Sequence, residues 1–318
     1  MKWHKLGKIF DPSRHTLPDG CFGFAQSPQA LVCDDHVRIY FSTRARDANG
    51  KFISHVAYVD FDRAMSRILR VADHTVIPPA ELGAFDEHGI FPLNVLRHEG
   101  RVLGYTTGWN RRVSVSVDTA IGLVVSMDDG RTFRREGSGP VLAASLHEPC
   151  LVGDGFVRVI GGVFHMWYIF GTGWKRYSPD AAPDRTYKIG HAVSKDGVHW
   201  HKEEGLQIVP DRLGPDESQA LPTVVEIDGR HHMFFCYRES SDFRTNPGRG
   251  YRIGHAVSSD LQTWERDDDA IPLAIEPDSW DSDMQCYPHA FTVDGKVYLL
   301  YNGNAFGRDG FGLAVLER

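Results

Sequence analysis

Runs of alternating apolar and polar residues recur along the chain, and tight-turn sequences separate them. Two runs are nearly identical: YKIGHAVSKDGVHW begins at Tyr187, and YRIGHAVSSDLQTW begins 64 positions later, at Tyr251. Related runs begin at Ala120, at Phe311 and, more weakly, at Ile53. Period-two alternation between turn residues is typical of antiparallel strands. The pattern therefore predicts five copies of one β unit.

A second motif lies upstream of each run and consists of an acidic residue, a proline, a turn and an aromatic-rich strand. Copies begin at Asp86, His147, Asp216 and Asp281, whereas the first copy, from Phe24, keeps the proline but lacks the acid. Each unit then holds four antiparallel strands. Five such units of about 64 residues indicate an all-β, five-bladed β-propeller. Two unrelated β domains or a sandwich are the alternatives.

The last unit lacks its outer strand, and the start of the chain supplies a candidate for it. Residues 1–10 include WHKLGKIF, which places Trp3 where Trp200 and Trp264 lie in their units. We expect this segment to complete blade five, so that residues 1–318 form one propeller domain. Ring closure removes two free sheet edges.

Composition and charge argue against some classes of function and are consistent with the predicted propeller. The chain has 318 residues, 42% of them hydrophobic, and a formal net charge of −7. A mildly acidic protein is a poor candidate for general nucleic-acid binding. No apolar run is long enough for a transmembrane helix, and the N-terminus lacks the features of a secretory signal. We therefore expect a cytoplasmic protein whose five scattered cysteines are reduced thiols and not zinc ligands.

The recurring turn and histidine motifs favour structural roles. SMDDGRTF, from Ser126, fits the Asp-box pattern, in which the aspartate accepts hydrogen bonds from its own turn and the aromatic residue packs between sheets. Asp128, Asp196 and Asp260 are therefore interpreted as turn residues. His191 and His255 recur in GHAV segments and are interpreted as core or channel histidines.

Acidic residues recur where the first strand of a blade begins. In an up-and-down blade, the start of strand one, the end of strand two and the start of strand three share one face. Because strand one is innermost, we expect these acids to converge at one mouth of the central channel. The acids are Asp86, Glu87, Glu148, Glu217, Asp281 and Asp283. The strand-two ends add Arg44, Trp109, Trp174, Arg238 and Asn302 to the same face.

This face has the residue types that glycosyl chemistry requires. Neighbouring carboxylates shift each other's pKa values, so that one can act as an acid while another stays ionised. Glycosidases use such a pair as proton donor and as base or nucleophile. The tryptophans could stack on a sugar, while the arginines, His88 and His289 could bind hydroxyls or a phosphate. Alternatively the acids cap turns or pair with arginines, or the channel binds Ca²⁺.

The acid-to-proline strand starts and the SKDGVHW and SSDLQTW turns resemble those of five-bladed propeller glycosidases, namely glycoside hydrolase families 43, 32 and 130. The segments WDSDMQCYP and YNGNAFGRDGFGLA resemble propeller proteins found with bacterial polysaccharide biosynthesis genes.

The resemblance to family 43 implies a general base just before a proline at the start of blade one, where this chain has Ser27. Asp19 could replace it only if its loop folds back. The same resemblance implies a general acid at Glu217, and an acid-proline pair survives at Glu148 and Pro149. The resemblance to family 130 implies that phosphate can attack in place of water.

We therefore predict a glycosidase-like, carbohydrate-active enzyme that acts on a small sugar or sugar phosphate. Its catalytic candidates are Glu217 as acid and Asp86, Glu87 or Glu148 as base or modulator. Its binding candidates are Asp281, Asp283, Asn302, His88, His289, the two tryptophans and the two arginines. No resident cofactor or metal is expected, apart from a Ca²⁺ or phosphate in the channel. A glycosyltransferase or phosphorylase of surface-polysaccharide synthesis and a non-catalytic sugar-binding propeller are the alternatives.

Overall fold

The structure is a computed structural model that describes residues 1–317. Its twenty strands form five four-stranded antiparallel sheets, arranged as the blades of a propeller. The predicted fold class is therefore confirmed.

The strands are β1 (Lys2–Phe10), β2 (Gln26–Val32), β3 (His36–Arg46), β4 (Phe52–Asp62), β5 (Ile68–Val71), β6 (Ile90–His98), β7 (Arg101–Arg111), β8 (Val117–Ser126), β9 (Arg134–Arg135), β10 (Cys150–Ile160), β11 (Val163–Lys175), β12 (Asp184–Ser194), β13 (His201–Lys202), β14 (Glu217–Ile227), β15 (Arg230–Glu239), β16 (Arg252–Ser258), β17 (Glu265–Arg266), β18 (Cys286–Val293), β19 (Lys296–Asn302) and β20 (Phe311–Glu317).

Blades one to four each consist of four consecutive strands, starting at β2, β6, β10 and β14. Blade five is completed from the other end of the chain, because its sheet has the order β18-β19-β20-β1. Strand β1 pairs antiparallel with β20, from Lys2 opposite Glu317 to Phe10 opposite Phe311. The predicted closure by the N-terminal strand is confirmed.

Short 3₁₀ helices are the only helical segments in the part of the chain that the structure describes. None of these helices is long or apolar enough to cross a membrane. They comprise Pro12–Arg14, Pro18–Gly20, Pro247–Arg249, Asp268–Ala270 and Asn304–Gly307.

Aromatic residues that follow the recurring turns pack one blade against the previous one. Trp3 of blade five meets Phe234 of blade four edge-on, with 5.4 Å between ring centroids. Trp264 of blade four meets Trp167 of blade three in the same way, at 6.3 Å. Large aromatic rings bury much apolar surface and prefer such edge-to-face contacts. The repeated aromatic position thus supplies the core between neighbouring blades.

The turn aspartates stay within their own turns. Asp128 accepts hydrogen bonds from the backbone N–H groups of Arg131 and Thr132, at 3.1 and 2.9 Å. Asp196 and Asp260 accept equivalent bonds from the residues that follow them. A carboxylate that satisfies several turn N–H groups stabilises that turn. These contacts agree with the structural interpretation of the motif.

Candidate functional site

A cavity of about 450 Å³ occupies one mouth of the central channel. Its walls come from the starts of inner strands, the ends of second strands and the starts of third strands. These are the strand ends that the sequence predicts to share one face of the propeller. Gln26 and Leu151 belong to the first group, Arg44 and Trp109 to the second, and Tyr187 to the third.

Each inner strand carries a bulge near this mouth, and strand register identifies the equivalent residue in every blade. Register shifts separate Gln26 from Gln29, Ile90 from Leu93, Gly153 from Phe156, Ala220 from Thr223 and Cys286 from His289. A bulge inserts residues that have no cross-strand partner and redirects a side chain. In each blade, one bulge residue lies two positions before the residue at which regular pairing begins again. We call these five residues the bulge ring: Ser27, Phe91, Asp154, Leu221 and Tyr287.

Asp154 is the only carboxyl group of the bulge ring, and the only one among the described residues that line the cavity. The residue is 6% exposed, and its Oδ2 accepts a hydrogen bond from the backbone N–H of Leu221 at 3.2 Å. Its own N–H donates to Thr107 Oγ1 at 2.6 Å. Burial raises the pKa of Asp154 to about 7, although the Leu221 bond and the Arg185 charge oppose this rise. A buried carboxyl that titrates near neutrality in a cavity is a candidate proton donor.

Four arginines line the same cavity, namely Arg44, Arg185, Arg238 and Arg244. Only Arg244 has a carboxylate within 4.0 Å among the described residues, and that partner is Asp184, at 3.2 Å. Arg44 instead donates to the neutral oxygens of Ser54 and Gln26, at 2.7 and 2.9 Å. The cavity wall is therefore strongly cationic.

Arg238 is the most enclosed of these arginines, with 1% of its surface exposed. Its guanidinium lies 3.5 Å from the ring centroid of Phe243 and donates to the Tyr187 hydroxyl at 3.1 Å. Burial opposes its charge, but the phenols of Tyr187 and Tyr251 keep the pKa of Arg238 above its usual value. Arg238 is therefore a buried cation inside an aromatic wall.

Four of the predicted acids lie outside the cavity, in ion pairs within their own blades. Each binds a cation on the outermost strand of its blade, and none is more than 2% exposed. We call these pairs the blade clasps. They are Asp86–Arg135 at 2.7 Å, Glu148–Lys202, Glu217–Arg266 at 2.6 Å and Asp281–Lys5 at 2.7 Å.

Three of the clasp acids, Glu148, Glu217 and Asp281, also accept further hydrogen bonds, whereas Asp86 Oδ1 has no partner among the described residues. Glu148 accepts from the Tyr168 hydroxyl at 2.6 Å, and Glu217 accepts from the backbone N–H groups of Arg212 and Leu213 at 2.8 Å. Burial pushes the pKa of Asp281 upward, but the bond and charge of Lys5 keep it below its usual value. The expected convergence of these acids on the channel mouth is not observed. Their catalytic roles stay predictions, and the geometry favours a structural role.

The other predicted carboxylates do not line the cavity either. Glu87 accepts a hydrogen bond from the Gly83 N–H at 3.2 Å, and Asp283 is exposed beside Ser282. Asp19, the conceivable replacement for the blade-one base, accepts hydrogen bonds from Thr75 at 2.9 and 2.8 Å. Ser27 occupies the bulge-ring position of blade one, as the resemblance implied, but it is buried and donates its N–H to Asn302.

The predicted binding residues divide into two groups. Arg44, Arg238 and Trp109 line the cavity. Trp174 and His88 do not line it but contact its wall, because the Trp174 ring centroid lies 5.5 Å from the Arg185 guanidinium and the His88 ring centroid lies 5.6 Å from that of Trp109. The other two are buried in the propeller. They are Asn302, which bridges Ala25 and Gly310, and His289, which contacts Phe156.

Sequence reasoning missed Asp154, Arg185 and the three tyrosines Tyr187, Tyr251 and Tyr287. Asp154 had a recognisable signal, because it is the one acidic residue in the mostly apolar strand β10, CLVGDGFVRVI. Tyr187 and Tyr251 open the two near-identical runs, so their repetition was visible although their position in the cavity was not. No group of three or more His, Cys, Asp or Glu side chains suited to a metal ion occurs within residues 1–317. The expectation of a channel Ca²⁺ or phosphate stays untested.

Comparison with solved structures places the fold among propeller glycosidases. A thermostable family-43 glycoside hydrolase matches 94% of this chain and 91% of its own, with a TM-score of 0.64 and 13% identity. A structure from the family-130 mannoside phosphorylases, which include glycoside hydrolases that target β-1,2-mannosidic linkages in Candida mannan, has a TM-score of 0.69 and 15% identity. That match covers 99% of this chain and 94% of the other. The family-32 β-fructofuranosidase BmSUC1 of Bombyx mori has a TM-score of 0.60 and 14% identity, over 92% of this chain and 60% of the other.

The fold and the cavity thus define a five-bladed propeller of the kind found in glycoside hydrolase families 43, 32 and 130, as the resemblance implied. The chain belongs to the same family as uncharacterized protein Rv1502 of Mycobacterium tuberculosis, to which it is 36% identical over the full length of both chains. Sucrose-6-phosphate hydrolase of Bacillus subtilis is 32% identical over 88 residues, which cover 27% of this chain and 17% of that enzyme. No family model matches the chain.

Proposed function

We propose that the protein is a carbohydrate-active enzyme of the glycoside hydrolase type, which cleaves or transfers a glycosyl bond of a small sugar. The observation that carries the proposal is Asp154, a buried cavity carboxyl whose pKa is raised to about 7. In this proposal Asp154 replaces Glu217 as the proton donor, because Glu217 lies in a blade clasp.

The proposed step uses the protonated form of Asp154. The glycosidic C–O bond breaks, its electron pair stays on the leaving oxygen, and that oxygen takes the proton from the Asp154 carboxyl. An incoming oxygen of water or phosphate forms the new bond to the anomeric carbon; an attacking water releases its proton to the solvent, whereas a phosphate dianion need not lose one. Trp109 and the tyrosines of the cavity wall offer aromatic faces for the sugar ring.

Phosphorolysis is the second candidate, and the scarcity of carboxylates favours it. Hydrolysis in the common manner uses two carboxyl groups, whereas Asp154 is the only one among the described residues of the cavity wall. A phosphate dianion attacks without first losing a proton, so it needs no base. The arginines of the wall supply the charge that such an anion requires. The roles in polysaccharide synthesis and in sugar binding without catalysis, and the cytoplasmic location, stay predictions.

Turnover of a panel of aryl glycosides and disaccharides, with and without inorganic phosphate, tests the proposal. We expect product formation that Asp154→Asn lowers by about 10²–10⁴-fold, the usual contribution of a general acid. A strict requirement for phosphate selects the phosphorylase. Equal rates in the wild type and in Asp154→Asn contradict the role of Asp154, and binding without any turnover supports the sugar-binding alternative.

A further inference from the structure

We infer that the substrate carries its own negative charge, as a carboxylate or a phosphate ester on the sugar, and that Arg238, Arg44 and Arg185 recognise it. This inference rests on the proposed function for the location of the site, and it adds the chemical class of the substrate. It predicts uronates or sugar phosphates in place of neutral sugars.

The first observation is that Arg238 is buried without a counter-ion. Only 1% of its surface is exposed, and no carboxylate of residues 1–317 lies within 4.0 Å of it. The guanidinium donates to the Glu239 carbonyl and the Tyr187 hydroxyl, which leaves further N–H groups free, and Nε has no partner among the described residues. Burying a charge is costly unless it is paired. An anion in the cavity would supply the missing partner.

The second observation is that Arg44 and Arg185 are unpaired in the same cavity. Arg44 contacts only neutral oxygens, and burial lowers its pKa, although the neighbouring Tyr287 opposes this effect. Arg185 donates to the Ser116 hydroxyl at 3.3 Å. Arginine binds carboxylate and phosphate through its planar fork of N–H groups, which suits a charged substituent.

Two other enclosed arginines of the molecule do have carboxylate partners, although Arg158, which lies far from this cavity, has none within 4.0 Å among the described residues. Arg38, 2% exposed, forms a two-point pair with Asp60 at 2.8 and 2.9 Å. Arg266 is paired with both Glu217 and Asp268. Asp154 cannot play this part for the cavity arginines, since its raised pKa keeps it largely protonated below neutral pH. The cavity is therefore cationic at the pH values where Asp154 can donate a proton.

The remaining wall fits a sugar and not a bare ion. At about 450 Å³ the cavity is far larger than an oxyanion, and Trp109, Tyr251 and Phe306 give it an aromatic lining. A ligand with a flat apolar face and one anionic end satisfies both parts of the wall. Inorganic phosphate alone would satisfy only the arginines.

Calorimetric titration with matched ligands tests the inference without requiring turnover. The probes are glucose, galactose and mannose, the uronate and the 6-phosphate of each, and inorganic phosphate alone. We expect at least one anionic member to bind about 10- to 100-fold more tightly than its neutral partner, as hydrogen bonds to charged groups allow. Arg238→Met and Arg44→Met should each remove most of that advantage, and Arg238→Lys should restore part of it for the phosphate esters.

Arg158→Met is the matched control, because Arg158 also lacks a carboxylate within 4.0 Å among the described residues but lines a cavity at the far ends of the inner strands. This variant should bind the anionic sugars as the wild type does. A panel in which no anionic sugar binds more tightly than its neutral partner, including one in which nothing binds, overturns the inference. The inference is also overturned if the sugar phosphates bind no more tightly than inorganic phosphate does. That result would instead assign the arginines to free phosphate.

Failure of this inference and failure of the proposed function give different results. Asp154→Asn should keep the preference for anionic over neutral sugars, because the substitution leaves the arginines in place. Tight binding without turnover leaves the inference intact and contradicts the enzyme. Turnover of neutral glycosides that Arg238→Met does not slow leaves the enzyme intact and contradicts the inference.

Discussion

The clasp acids and the bulge ring both lie near the starts of the inner strands, yet the two sets differ in how their charges are paired. In each clasp a buried acid has its cation within reach, as in Glu217–Arg266 at 2.6 Å. In the bulge ring only blade three carries an acid, Asp154, and it has no cation within 4.0 Å among the described residues. Four blades share the clasp, whereas only one blade carries a carboxyl group in the bulge ring. The charged residues that repeat from blade to blade are structural, whereas the carboxyl group found in only one blade, that of Asp154, marks the candidate site.

The strongest way to break this comparison is to neutralise one acid from each set. Asp154→Asn keeps shape and burial, so we expect normal folding and turnover that is about 10²–10⁴-fold lower. Glu217→Gln should instead lower the melting temperature and leave kcat/KM of the folded protein within a few-fold of wild type. Steady-state kinetics and thermal melts on both variants give the answer. The reverse result, with Glu217→Gln inactive and Asp154→Asn active, would support Glu217 as the general acid, as the sequence predicts.

Removing the cation of a clasp should cost stability rather than activity. Arg266→Met leaves the fully buried Glu217 carboxylate without its ion pair, and breaking such a buried pair typically costs about 3–5 kcal/mol. Urea unfolding measures the change. The double variant Glu217→Leu with Arg266→Met is the control, because it removes both charges of the clasp. It should recover part of the loss, since Asp268, the other partner of Arg266, keeps its ion pair with Arg212 at 3.2 Å. Equal stability of Arg266→Met and the wild type would contradict a structural role for the clasp.

The pH dependence of turnover sharpens the comparison by testing the protonation of Asp154. Its carboxyl must hold a proton to donate one, and its pKa is raised to about 7. We therefore expect kcat/KM to be highest below pH 7 and to fall about tenfold for each pH unit above it. A rate profile from pH 5 to pH 9 on the wild type checks this. An activity that rises through pH 7 instead would assign Asp154 the role of a base.

The smallest expected effect concerns a stacked pair of histidines that occurs in blade three and again, as His232 and His255, in blade four. His165 and His191 lie 3.1 Å apart in blade three, and burial, followed by the charge of His165, lowers the pKa of His191 to about 4. The unfolded chain takes up this proton near pH 6.5, so stability is full above pH 6.5 and is lost as the pH falls toward 4. The loss at pH 5 should be about 1 kcal/mol after allowance for partial exposure.

Thermal melts between pH 7.5 and pH 4.5 measure this effect, with His191→Phe as the comparison variant. The variant should lose part of the acid sensitivity and retain the activity of the wild type. A melting temperature whose slope with pH is the same in both proteins would show that other groups cause the acid sensitivity.

Most of the fold could be predicted because its determinants repeat. Tyr187 and Tyr251 open matching runs, and Trp3 matches Trp200 and Trp264, so strand count and ring closure follow from sequence spacing. The mouth that holds the cavity could also be predicted, since it depends only on strand direction.

The catalytic candidate could not be predicted, because bulges decide which residue reaches the axis. Strand β10 has two register shifts, one between Cys150 and Gly153 and another between Gly153 and Phe156. Glu148 and Pro149 match the expected acid-proline motif in sequence, but the strand registers make Asp154 and Gly155 the equivalents of Leu221 and Pro222 in blade four. Bulge positions depend on tertiary packing. The clasp cations were visible in each fourth strand, but their pairing with the acids requires the folded sheet.

The pairing of β1 with β20 has a consequence for the order of events during protein synthesis. Phe10 and Phe311 are partners although about 300 residues separate them in the chain. At roughly 5–20 residues per second, translation takes about 15–60 s to deliver the partner after the first strand has been made. Whatever the order in which the blades form, the ring can close only after that interval. During this wait β1 is an unpaired edge, and its Lys2, Lys5 and Lys8 are the type of residue that discourages pairing with a foreign strand.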